Sequence, residues 1–173
     1  MQPSGSGSGL DLAVLAKEII DANRYMTLAT ADGDGRPWAA PVWYAHQGYT
    51  DFLWVSRPET RHSRNLASRP ELAIVIFDST VPVGGAQAVY VEALAEELDG
   101  AERERGIATY SRRSQTHGAG QWRGADVIAP APHRLYRAKA SQHFVLESND
   151  RRIPVQLGRG PEPRPDTEPT VSG

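Results

Sequence analysis

The chain has no cysteine in its 173 residues. Disulfides and thiolate metal sites are therefore excluded. Long apolar runs are also missing, and nothing approaches the ~18–20 residues of a membrane-spanning helix. The opening, MQPSGSGSGL, has no apolar stretch, so no signal peptide is expected and the sequence reads as soluble and cytoplasmic. Positive charge is not in excess: 19 Lys and Arg face 21 Asp and Glu, for a net charge of −2. That balance argues against a general nucleic-acid binder, but it allows a local basic pocket. Catalytic signatures are absent as well. There is no G-x-G-x-x-G after a strand, no Walker A motif and no G-x-S-x-G elbow. His46, His62, His117, His133 and His143 show no metal-ligand spacing. No triad is readable and no side chain is assigned a catalytic role. Chemistry must come from a bound cofactor or from residues far apart in the chain.

What is present is enough apolar content, 39%, and enough length for one domain with a real core. The two ends read as tails. Residues 1–9 carry the linker-like SGSGSG run, native or added. Residues 158–173, rich in proline, glycine and charge, have little to bury and are expected to be disordered. The folded body is 10–157, with no internal repeat. Leu12, Leu15, Ala16, Ile19 and Ile20 recur at helical spacing after Asp11. The stretch from Arg24 to Ser56 reads as three strands joined by hairpins, with turns at Asp32–Gly35 and Gln47–Gly48. Thr60–Ser68 reads as a short helix stopped before Pro70. ELAIVIFDS and AQAVYVEALAEEL read as strands. Asp99 and Glu102 form a capping-box pattern for a helix from about Gly100 to Arg113. HRLYRAKA and QHFVLES read as two more strands, and RIPVQ as a short one. Hairpin connections make the sheet antiparallel. Six or seven strands with a few helices predict a closed or nearly closed barrel.

The most informative segment is SRPETRHSRNLASRP, Ser56–Pro70. Thr60 is a suitable N-cap, which places Arg61 and His62 in the first turn of a helix. That end carries unpaired N–H groups and partial positive charge, so carboxylates belong there rather than cations. Either an anion sits at the turn, with a phosphate fitting the chemistry, or the charges are a solvated face. Pro41, in the middle of RPWAAPVWY, marks an edge or a bulge. Ala39, Ala40 and Pro41 are small enough for a flat ligand to lie against the backbone. Trp38, Trp43 and Trp54 are either aromatic surface nearby or core and interface residues.

The order and spacing of these pieces, from Tyr25 to Leu98, resemble the pyridoxamine 5'-phosphate oxidase-like family of flavin-binding split barrels. YMTLATADGDGRPWAAPVWY resembles the family's first hairpin. FLWVSRPETRHSRNLASRPELAIVIF resembles its strand, basic helix and next strand. The resemblance implies a mainly β, α+β fold: a six- to seven-stranded antiparallel split barrel with a few flanking helices. It also implies a homodimer with FMN at the interface. Arg61 and His62 match the two basic residues that hold the FMN phosphate, with His62 standing where a lysine is common. Pro41, Val42 and Trp43 match the strand along the isoalloxazine ring. Val55 and Ser56 match the end of the next strand, and Gln87 matches a glutamine that contacts the flavin. Trp122 and His143 are candidates for the partner's contribution.

An Arg-rich substrate motif around a tryptophan is typical of true pyridoxamine phosphate oxidases. It has no counterpart in SQHFVLESNDRRIPV. The implied activity is transfer of electrons or hydride between flavin and a small organic molecule, rather than vitamin salvage. The alternative is a non-catalytic module that binds or senses flavin, deazaflavin or haem. No nucleic-acid or membrane partner is expected.

Overall fold

In the computed structural model, residues 9–147 and 150–158 are described. The expected tails lie largely outside them, although Gly9 already opens the first helix, α1 (Gly9–Ala22). Strands follow as β1 (Tyr25–Ala31), β2 (Pro37–Trp43), β3 (Ala45–Gln47) and β4 (Asp51–Ser56). Helix α2 (Arg61–Ser68) leads to β5 (Glu71–Phe77) and β6 (Ala88–Glu97). Helix α3 (Gly100–Thr116) and a 3-10 turn (Gly124–Val127) precede β7 (Arg134–Leu146) and β8 (Arg152–Val155).

The antiparallel sheet runs β2-β1-β5-β6-β7-β4-β3, with β8 added to β7. Strands β2 and β3 are consecutive in the chain yet form opposite ends of that order. The single residue between them, Tyr44, is fully buried, and its hydroxyl donates to the Ile20 carbonyl at 2.6 Å. The barrel therefore closes through a covalent bend at Tyr44 rather than through a ladder, which is what makes it split.

Alternation decides which side chains enter the barrel. Leu28, Ile74, Val91 and Tyr136 point inward with the fully buried Phe52 and Trp54. Ala16, Ile19 and Ile20 of α1 join the same core. Outside the barrel, α3 packs on β3, β4 and β7 through Ile107 and Tyr110, against Ala45, Leu53, Leu98 and Leu135. Gly106 permits that approach: a Cβ there would lie 3.0 Å from both Leu98 and Leu135.

Three local expectations change. The second expected strand divides at Tyr44 into β2 and β3, because burying the tyrosine ring turns the backbone out of the ladder. The two expected closing strands are one 13-residue β7. It stays continuous because Ser141 is absorbed as a bulge, with Ala93 paired to Ala140 and Glu92 to Gln142. The capping box at α3 does not form. Asp99 occupies the N-cap without a side-chain bond, while Glu102 reaches across to Arg137 at 3.0 Å. Charge pairing with a strand arginine outcompetes the local cap.

Candidate functional site

The β4–α2 connection builds the basic turn. Thr60 caps the helix, and its hydroxyl accepts weakly from the Ser63 amide at 3.4 Å. The first turn of α2 contains no acidic residue. Arg61 is exposed, and its guanidinium lies 4.6 Å from the ring centroid of Trp38, itself 41% exposed. Trp38 stands near the start of β2, paired with Thr30 of β1. The β1–β2 turn is close by. There the Asp32 carboxyl is held below its usual range by the Arg36 amide first, with a smaller contribution from the Arg61 charge. Beyond Trp38, Ala39 and Pro41 are exposed along edge strand β2. Arg61 and Trp38 thus bring a cationic helix end and an aromatic ring together, while Ala39 and Pro41, an odd number of residues from Trp38, lie on the other face of β2.

The opposite face of α2 is buried and polar. His62, 8% exposed, places Nε2 2.9 Å from Ser56 Oγ and 3.1 Å from Thr60 Oγ1. Ser63 is buried, with its hydroxyl oxygen 2.8 Å from Thr60 Oγ1. Asn65 donates from Nδ2 to Thr30 Oγ1 of β1 at 3.0 Å. Hydrogen bonds to β4 and β1 thus fix the rotation and depth of an eight-residue helix whose main apolar anchor is the buried Leu66. Burial depresses the His62 proton affinity below the ordinary histidine value.

The family model described as pyridoxamine 5'-phosphate oxidase matches residues 15–145. The chain belongs to this family. No curated relative matches it. Among solved structures, a haem-binding protein from Mycobacterium smegmatis aligns with TM-score 0.67 and 20% identity, covering 91% of this chain. The chain spans about 60% of the length of that protein. An FAD-binding protein from Mesorhizobium loti aligns with TM-score 0.60 and 21% identity over 77% of this chain and 90% of its own. An F420 reductase aligns with TM-score 0.50 and 18% identity over 69% of this chain and 87% of its own. At these identities the likeness is one of fold.

In this family member the eight residues expected at the site divide into groups. Arg61 is exposed beside Trp38, whereas Pro41, three residues along β2, is exposed on the other face of that strand. Val42 is buried in the barrel core, so it offers backbone alone. Ser56 and His62 form a buried pair beneath the turn. Trp43 and Val55 turn toward α3, where Trp43 meets Tyr110 edge-on at 4.7 Å. Gln87 is exposed and lies at the far end of the sheet: it precedes Ala88, which pairs with the last residue of β5, whereas α2 leads into the first. There it adjoins Ile19 and Asn23 near the end of α1.

Of the two candidates for the partner's contribution, Trp122 packs edge-on against Tyr110 and His133. His143 is buried, with Nε2 2.8 Å from the Tyr49 carbonyl oxygen. The sequence reading missed the Arg61–Trp38 stack and the Asn65–Thr30 bond. The first had a signal, an aromatic residue beside the hairpin turn. The second had none, since its partners are 35 residues apart.

Proposed function

We propose that the chain is an FMN-dependent oxidoreductase, acting as a homodimer with the cofactor at the interface. The observation that carries this reading is the exposed Arg61 guanidinium, stacked on Trp38 in a helix turn that holds no carboxylate. The turn fits a phosphate: a fork of N–H donors stands beside unpaired helix amides. One face of β2 has room for a flat ring, because Ala39 and Pro41 are small and exposed there, and Trp38 supplies an aromatic plane beside Arg61 on the other. Bound FMN would supply the electron or hydride transfer itself. The chain binds the phosphate through Arg61, orients the ring system along β2, and excludes water on the side covered by a second copy.

The second copy has a surface to cover. Tyr25 of β1, Phe77 of β5 and Leu94 of β6 are 61%, 46% and 55% exposed on the outer face of the sheet. Ala29 and Ala73 form the shallow floor between them. Glu71 and Glu92 lie on the same face, so a partner would cover an exposed apolar patch that includes two carboxylates.

Pyridoxamine phosphate is not the proposed substrate. Arg152 is engaged at the β7–β8 turn, over the Tyr90 ring at 5.1 Å and beside Asp150 at 3.4 Å. The test is the visible spectrum of the protein after FMN is added, followed by titration with FMN and riboflavin. A flavin spectrum with marked preference for FMN supports the reading. A haem Soret band or a deazaflavin band in the purified protein, or equal affinity for FMN and riboflavin, refutes it. Reduction by NAD(P)H and reoxidation by an acceptor separates an enzyme from a flavin-binding module.

A further inference from the structure

Arg61 and His62 are adjacent in sequence, yet one side chain is exposed and the other is buried. Arg61 is exposed over Trp38, whereas His62 is buried against Ser56 and Thr60. We propose that His62 is a positioning residue: a neutral, inward-facing strut that ties the first turn of α2 to the end of β4 and leaves Arg61, not His62, as the member of the pair that meets an anion. The proposal rests on the FMN reading above for the identity of that anion.

Three observations support it. First, Nε2 already lies within hydrogen-bond distance of two hydroxyl oxygens, one on β4 and one at the helix cap. The Thr60 hydroxyl also donates to the Arg57 carbonyl at 2.9 Å, so the same cluster holds the loop that enters the helix. Turning the ring outward to a ligand would break the tie between strand and cap.

Second, the two partners of Nε2 among the described residues are hydroxyls, where a carboxylate would be needed to favour an imidazolium. The charged side chains on its own segment are Glu59, Arg61 and Arg64; on the elements packed against α2, Asp32 lies near Arg61, and Glu97 and Arg134 lie near Tyr136. None of them shifts the ring; burial alone lowers its proton affinity. Third, Arg64 is turned back, with Nη1 donating to the Glu59 carbonyl at 2.7 Å. The cationic surface of the turn therefore centres on Arg61, and its position depends on where the strut holds the helix.

The test combines a ring titration with ligand selectivity. NMR follows the His62 ring proton, assigned by its loss in His62→Gln, in the free protein and at FMN saturation. FMN and riboflavin affinities are measured for wild type, His62→Ala, His62→Gln and Ser56→Ala. The expected ring midpoint lies below 6.5, the ordinary histidine value, in both states. His62→Ala is expected to reduce the preference for FMN over riboflavin about tenfold, the worth of one well-placed hydrogen bond. His62→Gln, whose amide can still reach Ser56, should stay within about threefold of wild type.

A ring midpoint above the ordinary value in the FMN complex would make His62 a charged ligand and overturn the proposal. So would a His62→Ala variant that loses thermal stability with its selectivity intact, or a His62→Gln variant as impaired as His62→Ala. Should His62→Ala fail to fold, Ser56→Ala removes the same contact with a smaller change, and unchanged selectivity there counts against the strut. If wild type binds FMN and riboflavin equally, it is the FMN reading that fails. The free-protein titration and the thermal midpoint of Ser56→Ala then decide the strut alone: a low ring midpoint with lost stability supports it, and anything else overturns it.

Discussion

Replacing Arg61 with alanine is the sharpest perturbation of the proposed phosphate turn. Arg61 is exposed and pairs with Trp38 alone among aromatic rings of the described residues, so its removal leaves the barrel core untouched. A hydrogen bond to a charged group is worth about 1.5–3 kcal/mol net. At about 1.4 kcal/mol per decade, Arg61→Ala should weaken FMN binding about ten- to a hundredfold. Riboflavin, which has no phosphate, should lose far less.

Trp38→Ala tests the platform separately. It removes an exposed cation–π contact worth about 0.5–1 kcal/mol, so a loss of about two- to fivefold is expected if the tryptophan only holds the guanidinium in place. Arg69 is the control. It follows the last turn of α2, with Nη2 3.4 Å from the Gly33 carbonyl oxygen, and Arg69→Ala should change FMN affinity little. Flavin-fluorescence titration reads all three variants. An Arg61→Ala protein with unchanged FMN affinity, or with equal losses for FMN and riboflavin, would show that the basic turn is a solvated face.

Gly106→Val should destabilise the fold by about 1–3 kcal/mol, because α3 has no room for a branched side chain against Leu98 and Leu135; denaturant unfolding would measure it, and an unchanged midpoint would mean the helix shifts freely. Stability should also fall in mild acid. Burial lowers the proton affinities of His46, His62 and His143 from the ordinary 6.5, although the Asp21 carboxylate pulls the other way at His46. The unfolded chain therefore binds more protons just below pH 6.5, so the stability these groups contribute is present above that value and is lost as pH falls toward their folded-state values. Thermal midpoints between pH 8 and pH 5 would show the decline, and a flat or rising midpoint on acidification would refute it.

The legible parts of the sequence were those governed by short-range periodicity and turn chemistry. The amphipathic spacing of Leu12 to Ile20, the Asp32–Gly35 turn and the Thr60 cap each lie within a few residues of what they determine, and each forms as expected. The break at Tyr44 was not legible, because VWYAH reads as continuous strand. At the bend Tyr44 is buried and its hydroxyl donates to the Ile20 carbonyl, 24 residues earlier, a partner the local pattern does not show. Likewise the Asp99–Glu102 pattern was correct locally but lost to Arg137, 35 residues beyond Glu102.

The candidate site divides along the same line. Residue type and spacing identified a basic turn, and the structure adds that a helix presents adjacent residues about 100° apart, given 3.6 residues per turn. Two neighbouring cations therefore reach one anion only if at least one of them bends toward it along a long stem. Which of the pair faces outward is set by partners the sequence does not show as neighbours: Ser56 on one side and Trp38 on the other. A lysine at position 62 could extend from the inner face along its long stem to bring its charge to the rim. An imidazole is too short to do so and still satisfy Ser56. On the proposed reading, the histidine exchanges a second cation at the turn for a fixed helix, and the burden of anion recognition shifts to Arg61.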